Sequence, residues 1–189
     1  MEFFETIARH KSVHSFLAKK VPEELLDKIT QAGNFAERFE GSELHFTVIT
    51  DRQLLDDYNE NGKRLLVELP TSQVLKKRGL NSDYDFFDHA PVVILISAPH
   101  TDSKTGERMN NASAFCAAQN ILSAADALGL GGNLSLAVLT DLGFNMPAAK
   151  VRTGVDGNDD VLAALFIGYP AEDCADKPHP HPMNIRYCK

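Results

Sequence analysis

The chain has 189 residues and 43% hydrophobic content, a length suited to one domain with its own core. Its formal net charge of −7 argues against nucleic acid or an anionic membrane as the main partner. Met1-Glu2-Phe3-Phe4-Glu5 lacks the layout of a secretory leader, and the apolar runs Ala90–Ala98 and Val161–Tyr169 are about half a membrane span, so a soluble, cytoplasmic protein is expected.

Phe3, Phe4, Ile7 and Ala8 recur at helical spacing, which predicts a short first helix ending near Arg9 or His10. Lys11–Lys20 reads as a connector anchored by Phe16 and Leu17. Pro22, followed by Glu23 and Glu24, starts a second helix: proline suits the first turn and the acids suit the helix dipole. Leu25, Leu26, Ile29 and Ala32 form its buried stripe, and Gly33-Asn34 is read as its stop. Leu44–Thr50 alternates and is rich in β-formers, hence a strand. Asp51–Leu69 reads as a helix with Leu54, Leu55, Tyr58 and Leu65 inward.

Residues 70–89 read as polar and irregular, with Gly79-Leu-Asn-Ser-Asp a loop. Ala90–Ala98 is a continuous apolar run, a strand buried on both faces. Asn110–Leu128 is an Ala-rich core helix, broken by Leu130-Gly131-Gly132-Asn133. Ala148–Thr153 forms a short helix and Val161–Ile167 another buried strand; from Pro170 the chain is Pro-rich and extended. Few strands between long helices predict an α+β layer architecture, rather than a doubly wound sheet. Cys116, Cys174 and Cys188 fit neither a zinc spacing nor a disulfide framework, and Cys116 reads as a small core residue.

Four blocks carry a resemblance. They are His10-Lys11-Ser12-Val13-His14-Ser15-Phe16 with Val21-Pro22-Glu23-Glu24-Leu25, then Phe86–Ala98, then Ala117 through Gly132, and finally Leu165–Pro170. In this order, over nearly the whole chain, they resemble the nitroreductase family. The resemblance implies an α+β fold with a small, mostly antiparallel central sheet flanked by helices, assembled as an intertwined homodimer. It implies one domain over 1–189, with 170–189 an extended tail packing on the partner subunit. It implies FMN as cofactor, NADH or NADPH as reductant, and a nitro, quinone or similar small molecule as electron acceptor. No side chain then has to act as acid, base or nucleophile, because the flavin carries the chemistry.

Cationic groups and a hydroxyl at the end of a helix can hold a phosphate by charge-assisted hydrogen bonds; alone, such a stretch also reads as a solvated connector. The resemblance assigns His10, Lys11, Ser12 and His14 to the FMN phosphate and ribityl chain. Where the family usually has arginine, this chain has His10 and His14, which lack the guanidinium fork and are partly charged near neutrality. Weaker and more pH-sensitive FMN retention is therefore expected.

The loop after the second helix also departs from the family. Glu40 and Ser42 stand where relatives carry amides that reach the other subunit's flavin, and a carboxylate cannot donate as an amide does. By resemblance, Gly131, Gly132 and Asn133 pass beside the flavin ring, where glycine permits close approach. Lys63 is the favoured base near the pyrimidine edge, on a helix face that reads equally well as solvated, and Lys177 or His179 supply the tail's basic contact to the phosphate. His179 and His181 are two apart with no third ligand nearby, so no metal is expected. The alternative is a protein of this fold that binds or senses flavin with little reductase activity, or a flavin enzyme of different chemistry such as dehalogenation.

Overall fold

The apolar run Val92–Ala98 forms the middle of the sheet because every one of its side chains finds cover. In the computed structural model, which describes residues 3–39, 41–68, 70, 72–136, 143–171 and 184–188, it becomes β2 (Val92–Pro99), buried in all but its last residue. β1 (His45–Ile49) pairs along one side of β2 and β4 (Asp159–Gly168) along the other. β3 (Gly131–Ser135) lies outside β4, giving the order β1-β2-β4-β3 with every pairing antiparallel.

Alternation along the strands divides the core in two. Ile94, Ile96, Leu165 and Ile167 pack with α2 (Glu23–Asn34) and α5 (Lys104–Ala127). Val93, Leu95, Ala164 and Phe166 pack on the opposite face with Leu55 of α3 (Arg52–Glu68) and with Phe144. A bulge interrupts the ladder at Ile96/Ser97, where β4 skips Leu162. Parity flips there, so Val161 joins the α3-side core although Ala163 joins the other.

On α5, Ala114, Ala117, Ala118, Ile121, Leu122 and Ala125 recur at three and four residues and form the buried stripe. Gly33 is more than a stop signal. A Cβ there would stand 2.8 Å from Ile121, so glycine lets α2 lie close on α5.

The structure corrects several sequence readings. α5 starts at Lys104 rather than Asn110, because the Ser103 hydroxyl caps it by accepting from the Gly106 amide. The 70–89 stretch contains α4 (Gln73–Leu80), capped by Ser72, with Gly79 close against the Lys63 carbonyl. Gly131-Gly132-Asn133 does not form a turn; it opens β3, paired with Gly168, Ile167 and Phe166. Cys116 is exposed, since it falls between the stripe positions of α5. α1 (Phe3–Arg9) forms as expected, but Phe3, Phe4 and Ile7 face outward. α6 (Pro147–Thr153) ends at Gly154, whose φ of 80° suits a left-handed cap. Most of the expected 170–189 tail lies outside the described residues.

Candidate functional site

The connector after α1 is stitched to the open edge of the sheet. The Val13 amide donates to the Gly132 carbonyl at 3.1 Å, and Ser12 bridges Gly132 in the parallel sense. Further on, the Leu17 amide donates to Tyr169 and Phe16 bridges Pro170. Val13 is buried while Ser12 and His14 on either side are exposed, so hydroxyl and imidazole share the outer face. The structure thus sets Ser12 beside Gly132, and brings His14 and Asn133 to one carboxylate.

Both histidines have carboxylate partners that are distant in sequence. His10 Nδ1 lies 2.6 Å from Asp126 Oδ2, both half-buried. That hydrogen bond raises the His10 pKa above the ordinary imidazole value, against the opposing effect of burial. His14 Nδ1 lies 3.1 Å from Asp88 Oδ2. The same oxygen accepts from Asn133 Nδ2 at 3.0 Å, and Asn133 also donates to the Val13 carbonyl. One carboxylate therefore ties the connector, β3 and the turn before β2.

That turn is strained. Asp88 and His89 have φ of 54° and 58°, a region that short polar side chains tolerate better than most. Such residues cost about 1–3 kcal/mol each and persist where neighbours fix them. Here the fixing contacts are those to Asp88 and the 3.2 Å approach of His89 to Asp85. Between the two histidine couples, the Lys11 ammonium and the Ser12 hydroxyl have no hydrogen bond or ion pair among the described residues.

The remaining expected residues are placed as follows. A Cβ on Gly131 would meet Val13 and Pro170 within 2.8 Å, and one on Gly132 would meet Ile167, Phe166 and Leu122 within 2.8 Å. These glycines thus admit the protein's own connector and strand, rather than leaving an open cradle. Asn133 is buried and its amide is committed to the contacts above. Lys63 donates to Glu60 and to the Ser82 carbonyl, both at 3.1 Å, and braces α3 against the loop after α4. Ser42 has a buried hydroxyl without a hydrogen-bond partner among the described residues. Glu40, Lys177 and His179 lie outside the described residues. Sequence reasoning missed Asp88 and Asp126, for which no local spacing gave a signal.

A second polar cluster sits at the other end of β4. Buried Asp159 accepts from Ser97 Oγ and His45 Nδ1, each at 2.7 Å and both on Oδ2. Hydroxyl and imidazole reach the same carboxylate oxygen rather than one another, so they are not arranged as nucleophile and base. Nearby lies a cavity of about 690 Å³ bordered by His100, Phe115, Leu136, Asn145, Lys150 and Asp160. Among the described residues, no group of three or more His, Cys, Asp or Glu side chains could hold a metal. No described helix is long and apolar enough to cross a membrane.

The fold, a four-stranded antiparallel sheet between helical layers, aligns with those of solved nitroreductases. The chain, over its full length, is similar to 95% of a nitroreductase from Bacteroides fragilis solved with bound FMN, at TM-score 0.80 and 25% identity. It is similar in fold to a nitroreductase from Desulfitobacterium hafniense, covering all of both chains at TM-score 0.82 and 19% identity. The Nitroreductase family model matches residues 7–169, and the chain belongs to that family. Among curated proteins, mouse and rat iodotyrosine deiodinase 1 are each 26% identical, over 91% and 90% of this chain. The chain spans 63% and 62% of the length of those two relatives.

Proposed function

We propose that the chain is an FMN-dependent oxidoreductase that works as a homodimer, with His10, Lys11, Ser12 and His14 holding the flavin phosphate. The observation that carries this reading is the donor set itself. Lys11 and Ser12, whose ammonium and hydroxyl have no partner among the described residues, follow an imidazole held toward its charged form by Asp126. These groups fit a phosphate. Bound there, FMN would supply two-electron transfer between NADH or NADPH and a nitro, quinone or similar acceptor.

The protein's own part is to anchor, orient and shield. Gly131, Gly132 and Asn133 contribute by seating the connector. Glu40 and Ser42 are flavin contacts in this reading. Lys177 and His179 complete the phosphate contacts in this reading, and Lys63 is left out because its ammonium braces α3. The outward Phe3, Phe4 and Ile7 of α1, with exposed Phe35 after α2, support burial against a second copy. A cytoplasmic setting, without nucleic acid or membrane as partner, goes with this reading.

Purified protein should be yellow, should bleach with NADH or NADPH under anaerobic conditions, and should recover its colour with a nitroaromatic or quinone. Colourless protein that takes up no added FMN would overturn the proposal. The deiodinase relatives favour a second reading, in which the acceptor is an aryl halide that takes two electrons and a proton and loses halide. Halide release from iodotyrosine, without turnover of nitroaromatics, would select it.

A further inference from the structure

We propose that Asp126 is a positioning residue for the flavin phosphate, holding the His10 imidazole as a fixed cation where α1 meets α5. The inference rests on the FMN reading above and deepens it. His10 is the first residue after α1, its amide still bonded to the Thr6 and Ile7 carbonyls. Asp126 lies in the last turn of α5. Two helix C-termini, each the negative end of a dipole, and one carboxylate therefore converge on a single imidazole.

The other described charges near His10 do not compete for it. Glu5 and Arg9 of α1 pair with each other at 2.9 Å. His14 is taken by Asp88 from the turn before β2. Lys11, the next residue in the chain, has no described partner and adds to the positive field.

The orientation makes protonation decisive. Nδ1 is committed to Asp126, so Nε2 is the nitrogen left for a ligand. In the imidazolium, Nε2–H donates to a phosphate oxygen. When the proton is lost, Asp126 retains the Nδ1–H as its donor. Nε2 then presents a lone pair, and the carboxylate charge is uncovered beside the phosphate. An arginine at position 10 would show neither effect. The raised pKa of His10 keeps the binding-competent form present above the ordinary imidazole value of about 6.5.

The test measures FMN and riboflavin affinity from about pH 5.5 to 8.5 for the wild-type chain, Asp126→Asn and His10→Arg, with the His10 ring titrated by NMR. Riboflavin lacks the phosphate, and the second phosphate ionisation near pH ~6 is common to all three proteins and cancels between them. In the wild type, FMN affinity should fall as His10 deprotonates while riboflavin affinity stays level. Asp126→Asn should move both the His10 titration and the FMN profile to lower pH, and weaken FMN about tenfold near neutrality, the scale of one charged hydrogen bond. His10→Arg should flatten the His10-dependent fall. An Asp126→Asn profile superimposable on the wild type, or a His10→Arg profile as steep as the wild type, overturns the inference alone. Absence of FMN binding to the wild type at every pH overturns the flavin reading and the inference together.

Discussion

Replacing Gly132 by alanine probes how the connector is seated on the sheet. The added Cβ would stand 2.7 Å from both the Phe166 carbonyl oxygen and Ile167 Cδ1, and 2.8 Å from Leu122 Cδ2. Ile167 and Leu122 are core side chains with little room to turn, and the carbonyl belongs to the strand with which Gly132 pairs. Relief requires β3 to move off β4, and the Gly132 carbonyl would carry Val13 with it. Overpacking of this kind costs about 1–3 kcal/mol, while the stiffer unfolded chain returns about 0.4–1 kcal/mol. With a backbone oxygen among the clashes, a net loss of about 2 kcal/mol is expected, or roughly 4–8 °C in Tm for a chain of this size. Gly157→Ala is the control, because a Cβ there meets nothing within 4 Å. Urea denaturation at matched protein concentration checks both, with unchanged slope. A Gly132→Ala protein within about 0.5 kcal/mol of wild type would refute the packing argument.

Asp88→Ala removes the acceptor shared by His14 and Asn133 and places alanine at φ 54°, so a loss of about 1–3 kcal/mol is expected by the same denaturation assay. Asp88→Asn should lose less, since asparagine tolerates that conformation and keeps an acceptor; equal losses would contradict the account. His45 is raised in pKa chiefly by its hydrogen bond to Asp159, with burial opposing and Glu43 assisting. A group with a raised folded-state pKa stabilises the fold fully below its unfolded value of about 6.5, and that contribution fades as pH rises through the folded value. The Tm difference between wild type and His45→Gln should therefore narrow from about pH 5.5 to 8.5, and a constant gap would exclude this role.

The sequence made legible those elements whose own side chains determine them. The run before His100 could only be a strand covered on both faces, and Pro22-Glu23-Glu24 marks a helix start by local chemistry alone. β3 was hidden because Gly131-Gly132 has no β-forming side chains; its extended form comes from pairing with β4 and from the space Val13 and Ile167 require. α4 was hidden by a polar surface without an apolar stripe. The connector His10–His14 could be found as a motif. Its carboxylates could not, because Asp88 and Asp126 meet it across 74 and 116 residues. The outward face of α1 and the exposure of Cys116 likewise depend on how helices rotate against neighbours, which spacing alone leaves open.

Lys11 and Ser12 stand at the heart of the proposed phosphate site. Comparing FMN with riboflavin binding to the wild type and to a Lys11→Ala, Ser12→Ala double variant tests it directly. The wild type should prefer FMN by on the order of a hundredfold, the scale of two charged or polar hydrogen bonds, and the variant should lose most of this preference while still binding riboflavin as before. Equal affinity for the two flavins in the wild type, or an undiminished preference in the variant, would contradict it.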